Sequence, residues 1–562
     1  MKEFYKKVRQ LCGYTDDRPY LSNLIEKMEG SWNDKNIFIV EAPTGYGKSS
    51  ITATLALSSS ENCRKLIIAF PLRTLLEDQF SKLVKVIHNK SIIGKRYMHE
   101  RTSPYLIKPI TLTTVDTLSL TMFGIAPEDL IKVIKGWDEW TETLEHSMGH
   151  YLFSWSSVIL SDIVLDEVHL LSDETKSLSY LLALLEHMLA YGQKVILMSA
   201  TLPDVFKRAL SSRLYKYEDK IEFYEFDESD EDFIEDRNSK DYSITVERLS
   251  EQDKFDRILS WVEQGRENGF RKALVVFNTV KDAIAFYHNV KEVFKNVLLI
   301  HSRFTEIDKE RKYEKLMKFR EGNLDEYLII GTQTIEAGVD ISSNLIITEL
   351  APANTLVQRF GRFLRYRKEK YGMAYIWADE CLTKVGQYKV YDKELCLRTL
   401  SYIEKFDGKL NLHLPFGRVG YKELINNVYE GVRLEFNQKE VNDMLTIFTN
   451  FGDISEAVEL FFKCGGSFVR ESLIVPVQVN DITDPVPISY STFIKILKQG
   501  KVRKIIKFKG KDESEELEVT DEIVEKCGSE RKLIKFLHKE NVKSFLIEGE
   551  YSEDSGLVIG ED

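Results

Sequence analysis

Cysteine is scarce in this chain. Its 562 residues hold six cysteines (Cys12, Cys63, Cys381, Cys396, Cys464 and Cys527), no two of which stand as C-x-x-C. That spacing excludes a disulfide framework and a structural zinc site, and the thiols read as reduced. Long hydrophobic runs are also missing. No stretch approaches the roughly 18 apolar residues that a membrane span needs. The N-terminus, Met-Lys-Glu-Phe-Tyr-Lys-Lys, carries no apolar signal segment. A cytoplasmic protein with no membrane partner is the expectation. There are only 10 histidines and no His-Asp dipeptide, so the clustered ligands of a metal-dependent nuclease are not expected. His146 and His150 form the one close pair, and without a carboxylate motif beside them they read as ordinary polar residues. Excess positive charge is lacking too. The net charge is −12, so contact with a polyanion would have to rest on local patches.

The chain does hold 43% hydrophobic and 30% charged residues, an ordinary globular balance. Its length exceeds one core, and about two to four domains follow. Short apolar runs alternate with helical stretches. The clearest in the first part are Ile37–Val40, Leu66–Phe70, Ile163–Leu165 and Val195–Met198. A second series begins at Ala273–Phe277 and continues through 297–300, 327–330, 345–347 and 374–377. This rhythm predicts an α/β fold with two tandem parallel-sheet domains. The expected boundaries are 1–220 for the first domain, with a helical insertion at 123–157 carrying Trp137 and Trp140. An acidic, solvated linker is expected at 221–245 and the second domain at 246–384. From 385 to 562 the rhythm is lost, and a C-terminal accessory domain is expected. Eight basic residues between Lys495 and Lys511 read there as a solvated surface.

Chemistry enters at residues 42–49, Ala-Pro-Thr-Gly-Tyr-Gly-Lys-Ser, directly after the first apolar run. Thr44, Gly45, Tyr46 and Gly47 turn the chain so that backbone N–H groups can converge on a phosphate at a helix N-terminus. Lys48 can reach the β- and γ-phosphates, and the Ser49 hydroxyl can bind Mg²⁺. A second motif, Asp166-Glu167-Val168-His169, ends another strand. Asp166 would hold the Mg²⁺ and Glu167 would activate the attacking water, with His169 completing the nucleotide-binding set. Only Cys63 falls between the two motifs, which excludes a four-cysteine iron–sulfur cluster there. Together they point to ATP and Mg²⁺.

Three signatures follow in order. Ser199-Ala200-Thr201 offers two hydroxyls that can link the carboxylates to the second domain. Thr332 through Asp340 follows a strand; Gly338 permits close backbone approach, and Asp340 can bond a ribose hydroxyl or an arginine. Gln358-Arg359-Phe360-Gly361-Arg362-Phe363-Leu364-Arg365 reads as the opening of a helix that presents Arg362 and Arg365 on one face, aimed at a γ-phosphate. Gln358, Arg362, Arg365 and Glu167 are the expected catalytic set.

Over residues 20–380 these motifs resemble those of superfamily 2 DExH helicases, which implies two RecA-like domains with the nucleotide between them and nucleic acid across both. The strand-contact positions implied are Pro71, Arg73, Thr74, Thr113, Thr114, Asp116, Asn278, Thr279, His301, Ser302, Arg303 and Thr332. Arg18-Pro19-Tyr20 stands where an adenine-reading glutamine often follows, and no such glutamine is present. Within the superfamily the chain is most similar to the CRISPR-associated helicase of Cascade-type (type I) systems. That resemblance implies an ATP-dependent translocase on single-stranded DNA, working with a guide-RNA surveillance complex. It also implies a separate HD nuclease subunit, because the phosphate loop begins at residue 42. An RNA or DNA-repair helicase, or a nucleotide-switched clamp that does not unwind, would share the same catalytic residues.

Overall fold

The computed structural model describes the chain except residues 15–17, 98–99, 139–142, 145–149, 173, 322–323, 337, 384–387, 418, 450–453, 480–483, 510–512 and 560–562. Trp140 and His146 therefore lie outside the described residues.

The apolar runs become central strands because both their faces find apolar cover. The first sheet runs Ile221–Tyr224, Ile37–Glu41, Val195–Ser199, Asp162–Leu165, Leu66–Phe70, Ile110–Thr114, Ile93–Tyr97 and Glu100–Arg101. All neighbours are parallel except the last pair. Ile37, Ile39, Ile67, Ile163 and Val195 face one apolar core, while Phe38, Val40, Ile68, Val164 and Ile196 face the other. Burial on both faces is what parallel strands require. The second sheet is wholly parallel, in the order Ile244–Leu249, Met373–Asp379, Leu345–Glu349, Lys272–Val276, Tyr327–Gly331 and Val297–Ile300. Two parallel-sheet units in tandem make this the expected α/β architecture.

Three expectations need correction. The acidic segment 221–245 is not a solvated linker. Ile221–Tyr224 pairs with Ile37–Val40, and Glu231–Asn238 is a helix capped by the Asp230 carboxylate at the Phe233 N–H, 3.0 Å. Phe226 and Phe233 bury themselves around Tyr46, and their aromatic surface outweighs the acidic residues between them. The region from 385 onward is not one separate domain. Helices Lys393–Lys405 and Tyr421–Val428 join the core of the second sheet. Helices Gln438–Thr449 and Ile454–Lys463 join that of the first. Leu434, between them, packs against both cores. Only beyond Ile474 does a distinct five-stranded mixed sheet form, in the order Val486–Ser489, Ile474–Gln478, Val542–Ile547, Val502–Phe508 and Ser514–Glu518. Finally, the insertion is not purely helical. Besides helices Leu130–Gly136 and Tyr151–Ile159 it holds a short pair, Trp137–Asp138 with Thr143–Leu144.

The basic run is ion-paired where it forms a strand. Lys504 meets Glu516 at 2.8 Å, Lys507 meets Glu540 at 2.6 Å, and Arg503 pairs with Glu548. The last hairpin, Glu550–Ser552 with Gly556–Val558, leaves this sheet and lies on the second one's 301–305 loop.

Candidate nucleotide site and strand-facing surface

The phosphate loop leaves the buried strand Ile37–Glu41 and enters helix Ser49–Glu61. Gly45 (φ 75°) and Gly47 (φ 111°) take the left-handed turn that the loop needs. Lys48 is buried and donates through Nζ to the Ala42 carbonyl at 3.1 Å. Tyr46 is also buried, and its hydroxyl donates to Asp230 at 2.7 Å. Tyr46 thus anchors the loop to segment 226–238. Arg18 lies over the rings of Tyr46 and Phe233, 5.3 and 5.4 Å away. Arg237 donates to the Leu364 and Arg365 carbonyls at 3.3 and 2.9 Å. Sequence reading missed Arg18, Asp230 and Arg237 as supports of the loop. The aromatics interrupting the acidic run were the available signal.

Asp166 and Glu167 follow strand Asp162–Leu165. Burial, then the neighbouring Glu167, holds the Asp166 carboxyl above its ordinary range. Burial pushes Glu167 up as well, but Lys48, His169, Arg362 and Arg365 outweigh it and hold that carboxyl below its ordinary value. Adjacent carboxylates driven apart in this way can divide metal binding from proton handling. Burial takes His169 down to about 4, so its ring is neutral.

A chain of hydrogen bonds then crosses to the second domain. The His169 ring Nδ1 and Ser199 Oγ lie 3.0 Å apart, and the Thr201 N–H donates to Ser199 Oγ at 3.2 Å. Gln358 Nε2 donates to Thr201 Oγ1 at 3.1 Å. The two hydroxyls read as coupling residues occupy a direct path between the carboxylate motif and Gln358.

Gln358 belongs to helix Ala353–Phe360, which closes rather than opens at this motif. Arg362 and Arg365 therefore do not share a helical face. The Ser343 N–H bonds the Arg362 carbonyl and the Leu364 N–H bonds the Ser343 carbonyl, each at 2.8 Å, drawing the chain out of the helix, and Leu364 takes φ 46°. Both arginines still reach the site. Arg362 is buried, donates to the Glu336 carbonyl at 3.0 Å, and is pulled down to about 9 by burial and by Arg365. Arg365 pairs with Asp340 at 3.0 Å, whose other oxygen meets Arg320 at 3.0 Å. Asp340 thus bonds arginines. Thr44 packs where a Cβ on Gly361 would stand, 2.6 Å from its Oγ1, so the domains touch at the phosphate loop.

Among the described residues, Glu167 Oε2, His169 Nε2 and Arg362 Nε are buried without a hydrogen-bond partner. An acceptor and a donor left unmade beside Lys48 suit a ligand with both anionic oxygens and a bound cation. The residues fit Mg²⁺ with a triphosphate; Ser49 and Asp166 would hold the metal.

The expected strand contacts divide. Thr113 is buried and donates to the Arg96 carbonyl at 2.6 Å, while Thr114 and Thr279 cap helices. Asn278 is buried, donating to the Leu350 carbonyl and accepting from Arg359. These four shape loops. Thr332 is buried as well. Asp116 pairs with Arg470 at 2.7 Å. His301 is buried, shares a hydrogen bond with the Ser555 carbonyl at 3.0 Å, and accepts from the Arg303 N–H at 3.1 Å. Pro71 and Arg73 are only partly buried, and Thr74 stands against Gly338, where an added Cβ would lie 2.0 Å from its hydroxyl. Gly338 (φ 78°) therefore permits approach of the other domain. Arg359, unassigned by sequence reading, is fully buried and bonds Glu336, Thr348, the Glu349 carbonyl, Asn278 and Tyr391.

Known proteins share parts of this sequence and fold. Residues 22–209 match the DEAD/DEAH box helicase family, and residues 270–368 match the C-terminal model of CRISPR-associated nuclease/helicase Cas3. The CRISPR-associated nuclease/helicase Cas3 of Methanothermobacter thermautotrophicus is 26% identical over 456 residues, 75% of this chain and 49% of the relative. The CRISPR-associated helicase Cas3 of Thermoproteus tenax is 28% identical over 359 residues, 61% and 55% of the two chains. This chain spans about half the length of the curated relatives it matches. Among solved structures, T. fusca Cas3 with AMPPNP superposes with a TM-score of 0.57 at 14% identity, over 84% of this chain and 60% of that one. That likeness is one of fold.

Proposed function

We propose, from the match of residues 22–209 to the DEAD/DEAH box helicase family and of residues 270–368 to the C-terminal model of Cas3, that the chain hydrolyses ATP with Mg²⁺ to move along single-stranded DNA in CRISPR interference. The observation that carries this reading is the set of buried groups without a hydrogen-bond partner, Glu167 Oε2 (3.4 Å from His169 Nδ1), His169 Nε2 and Arg362 Nε, gathered between phosphate loop and second domain. Lys48 would neutralise the β/γ-phosphates. Bound Mg²⁺ would supply charge neutralisation on the same phosphates. Glu167, ionised at neutral pH, would take the proton of the attacking water. Arg362 and Arg365 would meet charge developing on the γ-phosphoryl oxygens. The Thr201–Gln358 hydrogen bond would pass the state of the site to the second sheet.

Strand cleavage would come from a separate HD nuclease, acting with a guide-RNA surveillance complex. Among the described residues no group of three or more His, Cys, Asp or Glu side chains could hold a metal ion. Among the described residues no helix is long and apolar enough to cross a membrane.

The test is ATP turnover by the purified chain with single-stranded DNA, with single-stranded RNA and with neither, Lys48→Ala serving as control. Stimulation by DNA that falls steeply with salt is expected, as phosphate-dominated binding requires. Stimulation by RNA alone would redirect the substrate assignment. Turnover indifferent to both would leave the nucleotide-switched clamp.

A further inference from the structure

Arg73 occupies the first turn of helix Arg73–Val86, just past the carboxyl end of the central strand Leu66–Phe70 of the first sheet. It is the one partly exposed guanidinium among the expected strand contacts of that sheet, yet it does not stand open to solvent alone. Two carboxylates of the second unit hold it: Glu306 at Nη1, and Glu310 at Nη2, 2.5 Å away. Both project from one face of helix Glu306–Glu321. The Tyr97 ring lies beneath the guanidinium, 5.1 Å from its carbon, and the Tyr97 hydroxyl is held in turn by Glu77. Lys309 takes the other oxygen of Glu306 at 2.9 Å. The fork is therefore oriented by an aromatic floor and filled by two anionic groups side by side.

A guanidinium clamped between two carboxylates presents the donor geometry of a phosphodiester contact. The contact also bridges the two units at the edge where Gly338 meets Thr74. We propose that Glu306 and Glu310 act as an internal stand-in for the nucleic-acid backbone, holding Arg73 in reserve until a strand phosphate displaces them. This inference rests on the strand-binding reading above and adds to it a competing contact and a consequence. The exchange of partner at Arg73 releases one tie between the two units, so strand binding and their relative movement become one event. The carboxylates set a threshold: a strand must offer a phosphate at Arg73 to break the tie.

The pair is partly exposed, with Arg73 28%, Glu306 29% and Glu310 65% open to solvent. Such contacts are individually weak and can be exchanged. That suits a reversible tie better than a structural one.

The experiment measures equilibrium binding of a fluorescein-labelled oligothymidylate by anisotropy, together with oligothymidylate-stimulated ATP turnover. Four proteins are compared: the unaltered chain, Glu306→Gln/Glu310→Gln, Arg73→Ala, and the triple variant. The glutamine pair keeps shape and removes charge, and a thermal melt of each protein checks its fold. With the competing carboxylates gone, binding should tighten about five-fold at low salt. Half-maximal stimulation should shift to correspondingly lower oligonucleotide. In the Arg73→Ala background the same two substitutions should change binding less than two-fold, roughly the size of a remote charge effect. Unchanged or weaker binding by the glutamine pair, or an equal gain without Arg73, overturns the proposal and leaves strand binding intact. No binding and no stimulation in the unaltered chain would instead overturn the strand-binding reading, and this inference with it.

Discussion

Glu167 takes a left-handed backbone conformation, φ 50° and ψ 46°, without being glycine, at a cost of about 1–3 kcal/mol. The turn keeps its carboxylate buried beside Lys48 and Arg362 rather than continuing the strand direction. Replacing Glu167 by Gln keeps that shape and removes the proposed base. Turnover should fall by about 10² or more, while affinity for a non-hydrolysable nucleotide stays within a few-fold. Single-turnover hydrolysis beside equilibrium nucleotide binding separates the two, and undiminished turnover would remove Glu167 from its role. Arg362→Ala should lower the maximal rate by about 10³ or more with little change in nucleotide affinity, since the charge it is proposed to meet develops in the transition state. Loss of affinity alone would make it a binding contact. Thr201→Ala removes the acceptor of Gln358 and should leave basal turnover near its normal value while abolishing its response to single-stranded DNA. A response that survives would place the link between units elsewhere, with the 362–365 turn.

At the scale of elements, the strands and the two nucleotide motifs were legible because burial on both faces writes itself as an unbroken apolar run. Ile37–Val40 and Leu66–Phe70 could be bounded almost to the residue. What could not be read depends on partners far away in sequence. Ile221–Tyr224 looks like the start of an acidic linker until Ile37–Val40 offers it a parallel neighbour. The motif at 358–365 carries its residues correctly, but its helix ends at Phe360 because Ser343, distant in sequence, takes the next backbone bonds. Helices Gln438–Thr449 and Ile454–Lys463 fall where the strand–helix rhythm is lost, and nothing local says which core they serve. Phe123 shows the answer, lying against Phe448 and Phe468 with ring centroids 4.6 and 4.0 Å away. Phe123→Ala should cost about 3–5 kcal/mol and expose helix Gln438–Thr449 to proteolysis before the second sheet. Calorimetry with limited digestion checks this; a melt within a degree or two of the unaltered protein would show that the stack contributes little.

Across the whole molecule, buried histidines set the acid limit. Burial lowers His169, His187 and His538 to about 4 and His301 to about 3, and it takes His413 down as well. The unfolded chain binds these protons from about pH 6.5 downward while the folded chain does not. Stability is thus fully present above that range and is lost as pH falls through it. Asp162, Asp166, Glu336 and Glu349, all raised by burial, oppose the trend by binding protons in the folded state first. Five histidines against four carboxyls leave a net loss of stability as the pH falls below about 6.5. Denaturant midpoints between pH 7 and 5 measure it, and a flat profile would contradict the burial of these rings. The segment 429–437 sets a mechanical limit of a different kind. It joins a helix bound to one core with a helix bound to the other. Fully drawn out, it spans about 30 Å. It is a leash: it bounds how far the two halves could part, and Leu434, packed against both cores, marks its midpoint.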